Sequence, residues 1–515
     1  MTELQDTIFL YQKDFSEQGG DRYFLYYEDQ LKEVSAQELV QIQTRLVTHD
    51  FWLIAPSIQR AVAKLPNDIV DIFEIDRAIS GLKTVIRSSD RTDLKAAIIN
   101  LLGSSIDVDT YTDMYYRKTK LDMDVYRSMG TTLLQLWSKL LSMAQSGKEY
   151  ARYFEIESKV FNYLWRCAAK GIRLDLDALR VHKKNIENEY FSALKDFGTK
   201  FDQAFEMPSD TVIEKHLLAQ NFDLSGASID YILGFLPIAD NYGLDLKALR
   251  KIYRSRRILA DMPLSTRRTF PIVDVAGTVT SRIIYRNPAL QNLAKRYRNI
   301  FIADEGMSLG YIDYAQFEVG VMALLSGDKI MRELYESGDL YARVAEEIFE
   351  SVDRRKDAKK LFLSFAYGMS LKQLADAAAA EGATRHKATV FFKKFETFEK
   401  WRTEVAVIYL RDGKIGTSFG NQASRTQTGD LSPKERRSCV SQVVQGTASL
   451  IFKKALIAIS EEPSVEVLLP MHDAIFFQYC NGYELVKVQQ IFEKTFENHF
   501  EGVIKAKATL GVFAG

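Results

Sequence analysis

At 515 residues the chain is too long for one hydrophobic core, and its length points to about three domains or subdomains. Apolar residues make up 46% and charged residues 26%, the mix of a soluble globular protein. With 68 basic and 68 acidic residues the formal charge is zero, which excludes a uniformly basic nucleic-acid coat but leaves room for a local basic stripe.

Cys167, Cys439 and Cys480 are isolated and odd in number, so neither a disulfide framework nor a cysteine zinc site is legible, and a reducing, cytoplasmic setting is expected. The N-terminus (MTELQDTIFLYQKD) has no basic leader before an apolar core, and no apolar run approaches the ~20 residues of a membrane span. No repeat or low-complexity tract is evident, so boundaries must come from changes of pattern. Residues 1 to about 145 mix short apolar runs (Phe24-Leu25-Tyr26-Tyr27; Phe51-Trp52-Leu53-Ile54) with helical stretches, which predicts an α/β unit. From about 150 to 265 the pattern is helical, with Leu179, Ile186, Tyr190, Leu194, Phe197 and Phe201 on one face. A second helix there carries Lys247, Arg250, Lys251, Arg254, Arg256 and Arg257, with no acid between Leu246 and Ala260. It is either a solvated face or a phosphate-tracking surface. Residues 270 to 325 turn strand-like and loop-like, and residues 327 to 412 are strongly helical. Gly413-Lys414-Ile415-Gly416 and Phe419-Gly420 mark turns. A helix from about 434 to 460 precedes two β-rich runs, Val465 to Tyr479 and Val503 to Phe513, flanking a helix near 483 to 498.

Two carboxylates stand out. Asp313 follows Leu309-Gly310-Tyr311-Ile312, and Asp473 lies between Leu468-Leu469 and Ile475-Phe476-Phe477, each inside an apolar, strand-like run. A charge there is costly unless paired or metal-bound. On neighbouring strands the two could hold paired Mg²⁺ ions ~3.5–4 Å apart. Spacing alone favours two turn or cap residues. Between them Arg355, Lys359, Leu363 and Tyr367 recur at steps of four. At ~100° per residue successive members drift only ~40°, so all four share a ~120° arc over ~18 Å of rise. Two cations, an apolar residue and an aromatic suit a ligand with a polyphosphate tail, a sugar and a base; a basic amphipathic surface helix is the alternative, but it explains less well why Phe362, Leu363, Phe365 and Tyr367 crowd one end beside Gly368.

These segments resemble the family A DNA polymerases, of the DNA polymerase I type. Arg298 to Gly306, running on through Asp313-Tyr314-Ala315-Gln316-Phe317-Glu318 to Asp328, is similar to the family's motif A. Arg355, Lys359 and Tyr367-Gly368 match motif B, and Met471-His472-Asp473 matches motif C. Thr280-Ser281-Arg282-Ile283 and Asn287-Pro288-Ala289-Leu290-Gln291-Asn292 resemble a further loop of the family. Gln445-Gly446-Thr447-Ala448 resembles a palm helix, and Glu157 through Gly171-Ile172 and Asp175 the start of the thumb. The likeness covers roughly residues 150 to 515, with six motifs in order.

The resemblance implies an α+β multidomain protein, a right-hand polymerase preceded by an RNase H-like α/β domain. Its expected parts are that domain at 1–145, thumb at 146–270, palm at 271–326, fingers at 327–428 and palm again at 429–515. It implies primer extension by dNTPs, with two Mg²⁺ ions (Mn²⁺ as a substitute) held by Asp313, Asp473 and the Tyr314 carbonyl. Arg355 and Lys359 would clamp the triphosphate, Lys359 also being catalytic. Leu363, Tyr367, Gln316 and Tyr341 would line the nucleotide site, and Glu318 would crowd the sugar 2′ position. Arg282, Asn287, Gln291, Asn292, Gln445, His472, Arg254 and Arg257 would meet DNA. Partners would be primer–template DNA, dNTPs and replisome proteins, with no membrane and a monomeric state.

The chain also departs from the family's pattern. Leu363 stands where an aromatic is usual and Tyr341 where a histidine is. Gly320 replaces an arginine, Ala474 a glutamate, and Asn421 to Arg425 an Arg-rich turn. The 3′–5′ exonuclease of the family needs Asp-x-Glu, a later Asp and Tyr-x-x-x-Asp. No Asp-x-Glu occurs before residue 150, His49-Asp50-Phe51 only weakly resembles the middle motif, and Tyr126-Arg127-Ser128-Met129-Gly130 ends in Gly. The N-terminal domain is therefore expected to be catalytically silent, with no room for a 5′-nuclease. A phage, prophage or plasmid replicase, or a specialised repair enzyme, is the expected setting, in a bacterial or phage-infected cell. Two other readings stay open: a polymerase suited to RNA templates or modified nucleotides, and an inactive DNA-binding replisome scaffold.

Overall fold

The computed structural model describes residues 6–14, 20–80, 94–103, 108–220, 229, 233 and 241–514. The first five residues, part of the N-terminal stretch read as having no basic leader, lie outside these. The N-terminal region is built on a five-stranded mixed sheet, ordered β3-β2-β1-β4-β5, from β1 (Thr7–Gln12), β2 (Arg22–Tyr27), β3 (Gln30–Val34), β4 (Leu46–Thr48) and β5 (Ile69–Asp71). β1, β2 and β3 pair antiparallel, whereas β4 and β5 run parallel to β1. Every residue of β1 is buried, as expected of a central strand covered on both faces. The helix Met123–Ser146, capped by the Asp122 carboxylate on the Asp124 N–H, packs across β1, β2 and β3.

The helix Leu176–Phe201 begins where Asp175 accepts the Asp177 and Ala178 N–H groups, each at 3.0 Å. It packs on Asn241–Ala260, the basic helix. The predicted stripe is the buried one: Leu179, Ile186, Tyr190, Leu194 and Phe197 are buried and Phe201 half-buried. Tyr190, Leu194 and Phe197 join Ile213, Leu217, Leu246 and Leu249 in a small core of their own. Most of the other buried apolar residues described, from the N-terminal sheet to the C-terminal one, form one continuous cluster.

The C-terminal half is centred on a four-stranded antiparallel sheet of β6 (Met307–Tyr314), β7 (Val465–Met471), β8 (Ala474–Cys480) and β9 (Ala508–Gly511), ordered β7-β8-β6-β9. Beneath it runs Pro433–Ser460, entered through a Ser432/Glu435 capping box with Pro433 at its first turn. This helix alone among the described residues is long and apolar enough to cross a membrane, at a mean hydropathy of 1.3. However, 72% of that stretch is inside the protein, which makes it a core helix. Seven α-helices between Phe317 and Asp412 form the block above the sheet. Phe362, Phe365, Phe392, Phe395 and Phe398 are its core. The crowding of aromatics near Gly368 thus divides in two, with Phe362 and Phe365 buried at the back and Leu363 and Tyr367 half-buried at the front.

Candidate active site

In β6, Asp313 faces Ala474 of β8 and Thr509 of β9. Asp473 was expected inside a strand. The structure corrects this: His472 and Asp473 form the two-residue turn joining β7 to β8, closed by the Met471–Ala474 pair, with His472 left-handed at φ 57°. Such a tight turn needs positive φ at its first residue, and no Gly or Asn advertised it. The turn carries Asp473 to the end of the sheet beside Asp313, where the Tyr314 N–H donates to the Asp473 carbonyl at 3.1 Å. The two carboxylates meet because one ends a central strand and the other tips the neighbouring hairpin.

Their environment is unfavourable for charge. Burial, then the Asp473 charge, raises the Asp313 carboxyl to about 7. Burial, then Glu318, raises Asp473 to about 6. Lys359 opposes both shifts, joined by Lys295 at Asp313 and by Arg282 at Asp473. The Asp313 Oδ1 atom is buried without a hydrogen-bond partner. Such an orphaned acceptor beside a second carboxylate suits a bound cation. Among the described residues no three His, Cys, Asp or Glu side chains cluster as a closed metal site, so a cation here would draw further ligands from backbone, substrate or water.

The helix Arg355–Ala366 ends at Tyr367. Arg355 Nε donates to Asp339 Oδ2 at 2.5 Å, and the Arg355 and Lys359 cations each lie 5.5 Å from the Tyr341 ring centre. Tyr341 is buried and meets Phe362 edge-on, so its ring is a platform under both cations. Asp339 also caps Leu340–Phe349 by accepting the Tyr341 and Ala342 N–H groups. Sequence reasoning missed it, although an Asp after Gly338 at a helix start is a legible cap signal. At the other end, Glu318 accepts from both Arg282 and the Tyr367 hydroxyl, and Gln445 Nε2 reaches that hydroxyl at 3.3 Å.

The structure brings together Asp313, Tyr314, Asp473 and Lys359, with Arg282, Glu318, Tyr367 and Gln445 linked beside them. His472 is exposed on the turn. Two other predicted contacts are already committed. Gln316 spends its amide on Gly338 O at 3.0 Å and Leu340 N at 2.8 Å. Gln291 spends its own on the Tyr285 backbone at 2.9 and 3.3 Å. Each thereby shapes a loop. Arg254 and Arg257 line a cleft of about 580 Å³ with Asn287 and Asn292. The basic helix is otherwise partly neutralised, by Arg250–Asp210 at 3.1 Å and Arg256–Glu187 at 2.8 Å.

In the N-terminal region, His49 bonds Asp50 at 3.1 Å and the Tyr111 hydroxyl at 2.9 Å, and Trp52 bonds Asp50 at 3.0 Å. The Tyr126 hydroxyl donates to the Tyr11 carbonyl at 3.1 Å. A Cβ on Gly130 would come within 2.4 Å of the Tyr26 ring.

Fold and site together define a protein with a paired-carboxylate site at the end of an antiparallel sheet, faced by a cationic helix. Residues 244–513 match DNA polymerase family A, and the chain belongs to that family. It is 26% identical over 371 residues to the thermostable DNA polymerase I of Thermus thermophilus, spanning 63% of this chain and 43% of that protein. With the DNA polymerase I of Aquifex aeolicus it shares 23% over 468 residues, 81% and 79% of the two chains. The chain thus matches less than half the length of its Thermus relatives. Its fold is that of the POL domain of Pol1 from M. smegmatis, solved in complex with DNA primer-template and dNTP, with a TM-score of 0.73 and 18% identity over 95% of this chain and 92% of that one.

Proposed function

We propose that the chain is a template-directed DNA polymerase, adding dNTPs to a primer 3′ end by two-metal nucleotidyl transfer without proofreading. The observation that carries this is the Asp313–Asp473 pair, with a buried carboxylate oxygen lacking a partner and Lys359 acting on both acids. Asp313, Asp473 and the Tyr314 carbonyl would hold two Mg²⁺ ions, or Mn²⁺ in their place, which would supply charge neutralisation at the attacking and leaving oxygens. Arg355 and Lys359 place positive charge along one helix face, where a triphosphate would bind and a departing pyrophosphate would be stabilised. Tyr341 keeps those cations at a fixed height. Glu318 stands where a ribose 2′-hydroxyl would intrude, held by Arg282 and Tyr367. Arg254, Arg257, Asn287 and Asn292 form a polar, cationic cleft suited to a duplex backbone.

The remaining expectations fit this reading. The N-terminal sheet order, with three antiparallel and two parallel members, supports an RNase H-like domain over 1–145. Its tyrosine packing, with no room at Gly130, supports a domain silent as a nuclease. Thumb, palm and fingers would follow the boundaries at 146–270, 271–326, 327–428 and 429–515. The place of action would be the cytoplasm of a bacterial or phage-infected cell.

Primer extension with four dNTPs, wild type beside Asp313→Asn and Asp473→Asn, tests the reading. Extension by wild type alone supports it. Equal primer–template binding with no extension by any of the three would favour a scaffold instead.

A further inference from the structure

The loop that presents Arg282 is held from behind by a buried ionic network. Glu149, Arg152, Glu157 and Lys453 are each no more than 4% exposed, two acids and two bases whose charges cancel. Arg152 Nε donates to Glu149 Oε2 at 2.6 Å and its Nη1 to Glu157 Oε1 at 2.5 Å. Its Nη2 reaches the Ala78 carbonyl of the N-terminal region. Glu149 accepts the Asn421 and Gln422 N–H groups at 3.0 and 3.1 Å. Lys453 Nζ donates to Glu157 Oε2 at 2.5 Å and to Ser281 Oγ at 2.8 Å. Ser281 Oγ in turn donates to Glu157 Oε1 at 2.8 Å.

Two backbone irregularities coincide with this network. Tyr153–Glu157 is a π-helical turn, a rare local structure that often accompanies functional sites. Ser281 has φ 57°, a left-handed state that is unfavourable for a non-glycine residue and persists only when its surroundings over-determine it. They do so here: Ser281 is also fixed by its N–H on the Thr278 carbonyl at 2.9 Å and by Ser449 Oγ on its own carbonyl at 2.6 Å. The next residue is Arg282, which contacts Glu318 and through it Tyr367. A well-packed apolar group could stabilise the fold as well as buried ions. What the ions add is a fixed direction for Ser281, and so for Arg282.

We propose that Glu157 and Lys453, braced by Arg152, are positioning residues that act through Ser281 to set Arg282 and the Glu318 gate during nucleotide addition. The inference rests on the polymerase reading. If wild type fails to extend a primer, that reading falls. If wild type extends and the variants below behave like it, only the positioning role falls.

The test is single-turnover dNTP addition normalised to active sites by burst amplitude, for Glu157→Gln, Lys453→Met and Ser281→Gly. Ser281→Gly removes the Oγ link while accepting the left-handed backbone, so it stays folded if the ionic variants do not. Each is expected to lower the maximal addition rate roughly 10- to 100-fold, the cost of a ~1 Å misplacement. The apparent dNTP affinity should change less than about threefold, and dNTP-over-rNTP preference should fall as Glu318 loses its fixed partner. A merely structural role would shrink the burst and leave rate and preference per active site unchanged, which would overturn the proposal. In the pair Ser281→Gly with Arg282→Ala, the double variant should be no slower than Arg282→Ala alone. Additive losses would also overturn it.

Discussion

Replacing Asp313 by Asn should stabilise the metal-free protein while abolishing primer extension. Burial and the neighbouring Asp473 charge hold the Asp313 carboxyl at about 7, against ~4 in an unfolded chain. Since the folded value is the higher one, the native state carries more protons than the unfolded state between these limits. Stability therefore falls as pH rises through that window, and the whole penalty is present above pH 7. Three pH units at ~1.4 kcal/mol each set a ceiling of ~4 kcal/mol. Asp313 is only half-buried, so solvent screening reduces the expectation to ~1–3 kcal/mol. Denaturant unfolding in EDTA should show that gain for Asp313→Asn at pH 8 and little gain at pH 5, where both proteins are neutral at this position. Mg²⁺ should likewise raise the wild-type melting temperature more at pH 8 than at pH 5, because protons and the cation compete for one carboxylate pair. An Asp313→Asn protein no more stable than wild type at pH 8, or equally stabilised at both pH values, would refute the account of strained, paired acids.

Gly130→Asp, which restores a carboxylate to the last nuclease position, should destabilise by ~1–3 kcal/mol through overpacking, because its Cβ would sit against the Tyr26 ring. It should also yield no Mg²⁺-dependent degradation of a mismatched primer, whereas recovery of that activity would show the domain is not silent. Leu363→Phe and Leu363→Tyr add a π-face at a half-buried position and should shift the ratio of dideoxy- to deoxynucleotide incorporation; an unchanged ratio in steady-state kinetics would remove Leu363 from the nucleotide site. His499 is held at about 4 by burial and then by Lys454, below its usual ~6.5. Its folded value being the lower one, its neutral form supports the fold above pH 6.5 and that support is lost as pH falls toward 4. Wild type should lose ~1–2 kcal/mol more than His499→Gln between pH 7 and pH 4.5, a figure discounted for partial exposure; parallel losses would contradict the assignment.

Local pattern alone marked many of the parts. The stripe from Leu179 to Phe201, the long apolar segment that became Pro433–Ser460, and the four-residue rhythm from Arg355 to Tyr367 were all legible because helical period and burial go together. Asp313 and Asp473 were legible as misplaced charges. The turn at His472-Asp473 was not. The apolar run reads through it, and the left-handed residue is an exposed histidine held by the pairing of the two strands it joins. The same is true of Ser281. Nothing in Thr280-Ser281-Arg282 signals a left-handed backbone fixed by Glu157 and Lys453, residues 124 and 172 positions away in sequence. Gln316 and Gln291 looked like free polar contacts and proved to be loop fasteners, a distinction that depends on which carbonyls and N–H groups come within reach. Sequence determined which residues could carry charge, cap a helix or fill a core, because those are properties of single side chains and their spacing. Only the tertiary structure decided which charges face one another, since a carboxylate's acidity and an arginine's direction are set by neighbours that chain order does not name.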